Sequence, residues 1–397
     1  MSNDKKIVSI NEGVVKQEIG ELVRQSVEDT LNAMLDAEAD RLCNAQKHER
    51  SPERTDSRAG YYQRGFDTKA GKVQLNMPKL RNSTFETAII ERYKRRESSV
   101  EEALMEMYFA GVSVRRVEDI TEALWGTKVS PGTISNLNQK AFERIEEWRN
   151  RPLEGNYPYV YLDGIVLKRS WGGEIKNVSV LAAIGVREDG YRQVLGIAEG
   201  AKEDKAGWSS FLGYLKERGL QGVRLFISDA CMGLIESLGE YYPESAWQRC
   251  TVHFYRNVFS VVPRTKVRDV ADMLKAIHAQ EDLEAALDKS EKVIEKLKDM
   301  KLPAAAKKVE DSIQETLAYY QFPKTHQKRI RTNNPLERLM KEIRRRTRVV
   351  GAFPDGKSAL MLSAARLRHI AGTKWGTKKY LNMDLLYMMD MENKLTA

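Results

Sequence analysis

Apolar positions divide the chain into helix-rich and strand-rich stretches. Residues 12–47 carry apolar side chains at intervals of three and four, which is typical of an amphipathic helix. Residues 61–78 contain tyrosines, basic residues and glycines at the bends, and predict a β-hairpin. Such a hairpin suits either nucleic-acid contact or an ordinary small sheet. Residues 98–149 predict three helices with short turns, the last starting at the Ser130-Pro131 pair.

From about residue 156 the pattern changes to alternating strands and helices. Short links join the first three strands, so we expect an antiparallel meander. The fourth strand follows a crossover helix and should lie parallel to the first, which becomes central. The predicted strands are 158–167, 175–186, 191–199, 223–228 and 245–252, with helices at 205–218 and 231–241.

The segment 254–332 contains helix-forming sequence only, including a charged amphipathic helix over Ala279–Lys301. A further helix starts near Asn334, where Pro335 suits the first turn. The predicted fold class is therefore α/β: a mixed five-stranded sheet with an all-α insertion, preceded by an α-helical region.

Three acidic residues stand in unusual contexts. Asp163 interrupts an apolar run, Asp229 ends a second one, and Glu337 lies just inside the start of a basic helix. The strand order brings the two aspartates to neighbouring strands, and a helix across the sheet can present the glutamate. Three close carboxylates repel one another unless a cation is present, and they suit Mg²⁺ or Mn²⁺. Two such ions promote in-line displacement at a phosphodiester.

Each acid also has a simpler explanation when it is taken alone. Asp163 would serve as a solvent-facing strand residue or as part of an Asp-Gly turn. Asp229 would serve as a helix N-cap, and Glu337 as a helix-start acid that faces the macrodipole.

Charge and composition favour a polyanion as partner. The net charge is +9, from 65 Lys and Arg against 56 Asp and Glu, and ten basic residues face two acids between Lys324 and Arg348. This basic patch indicates nucleic acid or merely a soluble basic face. Three cysteines argue against a disulfide framework. With no signal peptide and no membrane span in the sequence, we expect a cytoplasmic protein.

The three helices of residues 98–149 have the outline of a helix-turn-helix, and a plain three-helix bundle is the alternative. The start of the third helix carries side chains suited to base edges and phosphates, among them Thr133, Asn136 and Lys140.

The chain resembles the Mutator-type transposases, in particular the bacterial insertion-sequence branch. The matching segments are Tyr161–Gly164, Gly207–Leu220, Ser228–Leu234, Trp247–Asn257, Asn333–Arg338 and Arg346–Pro354, with weaker likeness at Gly60–Gly65, Met77–Arg81 and Phe109–Ser113. The resemblance implies a ribonuclease-H-like catalytic domain with a DDE metal site, interrupted by a helical insertion. Asp163, Asp229 and Glu337 fall on the catalytic positions, and Arg344 falls on a basic position two helical turns after the glutamate.

The function that this resemblance implies is DNA transposition. Two Mg²⁺ ions per site, for which Mn²⁺ can substitute, would support strand cleavage and then attack by the freed 3′-hydroxyl. The DNA partners would be the inverted-repeat ends and a target, contacted by Lys341, Arg344, Arg345 and Arg348. A nucleoid-associated homodimer is expected, with the first helix, 12–35, as a candidate contact. The alternatives are a ribonuclease-H-like nuclease or resolvase, and a non-catalytic DNA-binding regulator.

Three further residues are candidates for supporting the site. Cys250 and His253 match the Cys-x-x-His segment of the family, and their spacing makes half of a zinc site without a second pair. Support of the active-site edge, DNA contact and packing all remain open for them. Trp208 suits either the core or a stacked DNA base.

The predicted domains follow from this reading. They are an N-terminal helical dimerisation or DNA-binding region (1–50), a basic hairpin region (51–97), a helix-turn-helix-like domain (98–150), the first part of the catalytic domain (151–253), the helical insertion (254–332), and the last part with C-terminal helices (333–397).

Overall fold

The structure, a computed structural model, describes residues 12–90, 95–110, 112, 114–125, 129–171, 174–200, 204–350 and 356–396. It divides into two units, Met1–Ala141 and Phe142–Ala397. No helix among the described residues is both long and apolar enough to cross a membrane.

The predicted hairpin forms the centre of the first unit. Helix α1 (Glu12–Cys43) packs against strand β2 (Gly71–Leu80), which pairs antiparallel with β1 (Arg58–Thr68). Their shared core consists of Leu35, Phe66, Val73, Leu75, Met77 and Ile90. Arg58 fastens the hairpin to the helix, since its guanidinium lies 2.6 Å from both Asp36 and Asp40.

Three helices follow, as predicted: α2 (Ser98–Ala110), α3 (Val114–Trp125) and α4 (Pro131–Asn150). The last begins at the proline, whose fixed φ and missing N–H suit a first helical position. Apolar residues between α2 and α3 form a small core of Val100, Leu104, Val117 and Val129. The side chains of Thr133, Asn136 and Lys140 lie outside the described residues, so their predicted DNA contacts stay predictions.

A mixed five-stranded sheet organises the second unit, and the α/β prediction is confirmed. The strand order is β5-β4-β3-β6-β7, with β3, β4 and β5 antiparallel and with β6 parallel to both β3 and β7. The meander, the parallel fourth strand and the central position of the first strand all match the prediction. The strands are β3 (Tyr159–Trp171), β4 (Glu174–Val186), β5 (Arg192–Gly200), β6 (Leu225–Ser228) and β7 (Ala246–Arg249).

Helices cover the sheet and fill the insertion. Those beside the strands are α5 (Lys205–Glu217), α6 (Met232–Tyr241), α12 (Asn334–Val350), α13 (Gly356–Ala371), α14 (Lys374–Thr377) and α15 (Asp384–Thr396). Those of the insertion are α7 (Thr251–Phe259), α8 (Val267–Ile277), α9 (Leu283–Asp299), α10 (Pro303–Ser312) and α11 (Lys324–Ile330), with 3-10 turns at Arg264–Lys266, Gln314–Thr316 and Ala318–Gln321.

The helix predicted over Ala279–Lys301 is wrong at both ends. It starts only at Leu283 because the side chain of Asp282 accepts the N–H of Ala285 and caps the first turn. It ends at Asp299, and Lys301 adopts a left-handed φ of 60° just beyond it.

The side-chain alternation of β3 separates the two faces of the sheet. Val160 and Leu162 enter the core that α5 and α6 cover, which contains Phe211, Leu212, Leu215, Leu234 and Leu238. Because successive strand residues point to opposite faces, Tyr159, Tyr161 and Asp163 lie on the other face. Helix α12 packs against β3.

Candidate active site

Asp163 and Asp229 stand at the same level on neighbouring parallel strands. The pairing of β3 with β6 runs from Tyr159 opposite Leu225 to Tyr161 opposite Ile227, and each aspartate lies two residues further on. Asp163 is half-buried within β3, where it also pairs with Ala182 of β4. Asp229 is exposed just past the end of β6. The strand-end geometry inferred from the sequence is therefore present.

The simpler explanation for Asp229 does not hold. Helix α6 begins at Met232 after Cys231, so the aspartate lies outside the cap position. Its Oδ1 accepts the N–H of the adjacent Ala230 at 2.7 Å, a local bond that leaves the first helical turn uncapped. Asp163 makes the same kind of local bond, in which its Oδ1 accepts the N–H of the next residue, Gly164, at 2.9 Å.

Glu337 is supplied by the first turn of α12. Four buried apolar residues hold this helix in the structure: Leu336, Leu339, Met340 and Ile343. The N–H of Glu337 donates to the carbonyl of Asn333 at 2.9 Å. Its side-chain Oε1 is shielded from solvent and accepts no hydrogen bond from the described residues. A buried carboxylate oxygen of this kind is costly to leave unpaired, which marks it as a ligand atom or a contact point.

Cys250 and His253 lie beside Glu337. His253 Nε2 is 3.4 Å from Glu337 Oε1, and the ligand atoms of the three residues all fall within 4.8 Å of one another. In the described part of the chain this is the only group of three or more His, Cys, Asp or Glu that is gathered so tightly. The carboxylates of Asp163, Asp229 and Glu337 do not all lie within that distance of one another. In a site with two metal ions, the ions lie about 3.5–4 Å from each other, so the carboxylates that bind them need not be in contact.

The thiol of Cys250 is fully buried and sits directly before α7. Burial raises the pKa of this thiol, and hydrogen bonds from the backbone of Asn333, His253 and Val252 act in the opposite direction. The sulfur thus serves as a hydrogen-bond acceptor inside the protein.

Asn333 connects these elements and was missed by the sequence analysis. This side chain is 0% exposed. Its backbone N–H donates to Cys250 Sγ at 3.1 Å, and its Nδ2 donates to the carbonyl of Leu162 at 3.0 Å. An asparagine before a helix start ordinarily indicates a cap, so the sequence held no separate signal for a contact with the strand.

The basic residues predicted to bind DNA line the exposed side of α12. Lys341, Arg344 and Arg348 follow Glu337 at four, seven and eleven residues, and an advance of about 100° per residue keeps all of them near its face. Arg345 is also exposed and pairs with Glu342 at 3.0 Å.

Trp208, in contrast, is 2% exposed and packs in the sheet core, 6.1 Å from the ring of Phe211. This burial favours a packing role for Trp208 in the core over stacking on a DNA base.

Enzymes that act on phosphodiesters typically carry acidic residues at the ends of sheet strands, with a basic helix nearby. The mixed α/β sheet of this chain has both features. Residues 2–375 match the family described as "Transposase, Mutator family". The chain belongs to the Mutator family of transposases.

Relatives from three bacteria resemble nearly the whole chain. The transposase for insertion sequence element IS1081 of Mycobacterium tuberculosis is 39% identical, over 92% of this chain and 88% of the relative. That for ISRM5 of Rhizobium meliloti is 37% identical, over 91% of each. That for IS256 in transposon Tn4001 of Staphylococcus aureus is 33% identical, over 96% and 97%.

Proposed function

We propose that the chain is the transposase of a bacterial insertion sequence, with a ribonuclease-H-like catalytic domain and a DDE site formed by Asp163, Asp229 and Glu337. One observation carries the site assignment. The two aspartates stand level on adjacent parallel strands, and α12, which bears the glutamate, packs against the same strand as Asp163. The names of the relatives support the activity.

The donor set fits a hard divalent cation. Three carboxylates offer oxygen ligands, which Mg²⁺ and Mn²⁺ prefer, and Glu337 Oε1 has no hydrogen bond to the described residues. Two bound ions would supply a polarised nucleophile and would offset charge on the leaving oxygen. The three acids would hold these ions, while the rigid β3 backbone fixes the position of Asp163.

The basic face of α12 would hold the DNA backbone next to the acids. Arg344 and Lys341 are exposed near the face of Glu337, where a phosphate can be bound without base specificity. Water and a 3′-hydroxyl would act in turn as nucleophiles at one site, so strand transfer needs no covalent protein–DNA intermediate.

End recognition would belong to the first unit. Helices α2 to α4 would act as the helix-turn-helix that reads the inverted repeats, with the hairpin as a further contact. Tyr62 is 45% exposed on that hairpin, with Lys79 Nζ 5.9 Å from its ring centre. Both transposon ends must be held together, so a homodimer is proposed.

A cleavage and strand-transfer assay on DNA that carries the element's own ends tests this function. Asp163→Asn, Asp229→Asn and Glu337→Gln should each lower cleavage on the order of a hundredfold or more. Asp189→Asn is the matched control, because Asp189 is a half-buried aspartate on the link between β4 and β5, where it pairs with Arg187 at 2.7 Å. Full activity in all three site variants would contradict the proposal.

Footprinting separates the transposase from a structure-specific nuclease. Protection confined to the inverted repeats is expected of the transposase. Equal binding to branched DNA of any sequence would favour the nuclease.

A further inference from the structure

The elements that carry the three acids are joined by one buried set of hydrogen bonds. The residue before Asp163 is Leu162, and its carbonyl accepts the Nδ2–H of Asn333 at 3.0 Å. The β3–β6 pairing ends at Tyr161, so this carbonyl lies beyond the last paired residues of the two strands. The side chain of Asn333 thus contacts β3 at the residue directly before Asp163.

The residue before Asp229 is also held by a hydrogen bond to its carbonyl. Ser228 is the last residue of β6, and its carbonyl accepts the N–H of Cys250 at 2.8 Å. The sulfur of Cys250 in turn accepts the backbone N–H of Asn333 at 3.1 Å. Cys250 therefore bridges the end of β6 to the residue that precedes α12.

The third acid is linked through the helix itself. The carbonyl of Asn333 accepts the N–H groups of Leu336 and Glu337 at 3.0 and 2.9 Å, which sets the first turn of α12. Asn333 and Cys250 are both 0% exposed, so water does not compete for these bonds.

We propose that Asn333 and Cys250 are positioning residues that fix Asp163, Asp229 and Glu337 at the separation which divalent ions require. This inference rests on the proposed function and adds to it. Neither residue touches the ions; each acts through the backbone of a residue that neighbours a ligand. Loss of such supporting partners typically lowers metal affinity about 10–100-fold.

Mn²⁺ binding, followed by the electron paramagnetic resonance signal of the free ion, gives a readout other than activity. In full-length protein, Asn333→Ala and Cys250→Ala should each weaken Mn²⁺ binding about tenfold or more while the number of bound ions stays the same. Cys250→Ser keeps an acceptor and should stay within about threefold of the wild type. A role in folding alone would lower the melting temperature and the bound fraction without changing the affinity.

Cleavage measured against Mg²⁺ concentration gives the second readout. Asn333→Ala should need about tenfold more Mg²⁺ for half-maximal rate and should regain near wild-type cleavage at saturation. Should Asn333→Ala not fold, the Cys250→Ala and Cys250→Ser pair decides the question, since both keep the asparagine.

The outcomes separate this inference from the proposed function. Unchanged Mn²⁺ affinity in the folded Ala variants, at a site that Asp163→Asn abolishes, overturns the positioning role alone. A site that Asp163→Asn leaves intact overturns the proposed function. One equivalent of zinc in purified protein that is lost in Cys250→Ala overturns the positioning role, because the thiol would then be a ligand together with His253 and Glu337.

Discussion

The Nε2 atom of His253 lies 3.4 Å from Oε1 of Glu337, a contact between the first turns of two helices that are distant in sequence. The glutamate oxygen has no hydrogen bond to the described residues, and the imidazole of His253 lies within ion-pair distance of it. This contact restricts the orientations open to the carboxylate.

Replacement of His253 should therefore reduce cleavage without unfolding the protein. A hydrogen bond to a charged group contributes about 1.5–3 kcal/mol, and this longer contact should contribute less, so we expect His253→Ala to lower the cleavage rate by up to about tenfold. His253→Gln retains an N–H donor and should keep most of the rate. Rates are measured at saturating Mg²⁺, and melting temperatures serve as the control. Equal rates in wild type and His253→Ala would show that the contact has no role in catalysis.

The basic face of α12 should govern binding to DNA of any sequence. Each phosphate contact contributes a slope of about 0.9 when the logarithm of the binding constant is plotted against that of salt concentration. Arg344→Ala and Lys341→Ala should each weaken binding and lower the slope by about that amount. Fluorescence anisotropy at several salt concentrations measures both effects.

Lys292→Ala is the matched control for these variants. Lys292 is an exposed lysine on α9, in the helical insertion, and its loss should leave the slope unchanged. An unaltered slope in Arg344→Ala would remove that residue from the proposed DNA contacts.

The N-terminal part of α1 should mediate self-association. Ile19 is 55% exposed and Leu22 is 70% exposed, whereas Leu35 and Ala39 further along the helix are fully buried against the hairpin. A row of exposed apolar residues is typical of an interface. Ile19→Glu should yield a monomer in analytical ultracentrifugation.

Gln17→Glu provides the control for the introduced charge, because residue 17 lies on the opposite side of the helix from residue 19. That variant should keep the dimer. A dimer in Ile19→Glu would place the interface elsewhere.

The stability of the helical insertion should decrease in mild acid because of His278. Burial lowers the pKa of this imidazole to about 4 from its ordinary 6.5, and its ring nitrogens lie 2.9 Å from Tyr255 Oη and from Thr316 Oγ1. In the unfolded chain His278 binds a proton near its ordinary pKa, whereas in the folded chain it does so only near pH 4. The contribution of neutral His278 to the free energy of unfolding is therefore complete above about pH 6.5. It is lost as the pH falls towards 4, and amounts to roughly 3 kcal/mol.

Hydrogen exchange of peptides from α8 and α9 measures this effect locally. Between pH 7 and pH 5, after correction for the intrinsic exchange rate, opening should become easier in the wild type. His278→Gln cannot titrate and should show a smaller change. The same pH dependence in both proteins would contradict the assignment.

The strand order was predictable because local signals determined it. Short glycine-containing links impose antiparallel neighbours, and a crossover helix imposes a parallel fourth strand. The start of α9 was not predictable from periodicity alone, since helix-forming residues precede Asp282 while the side-chain cap begins the helix four residues later than expected.

The site was predictable only in part, for a different physical reason. Asp163 and Asp229 each break an apolar run, so their sequence context marks them. The contact of His253 with Glu337 and the bonds of Asn333 depend on how α7 and α12 pack, and such long-range contacts leave no periodic pattern. Cys250 showed only a spacing that suited half of a zinc site, whereas the structure assigns its sulfur a hydrogen bond from Asn333.

The most direct test of the central claim is the position of Mn²⁺ in crystals of the protein with transposon-end DNA, located by anomalous diffraction. The proposed function predicts peaks within coordination distance of Asp163, Asp229 and Glu337, next to the scissile phosphate. A peak held by Cys250 and His253 instead, with none at the two aspartates, would contradict it.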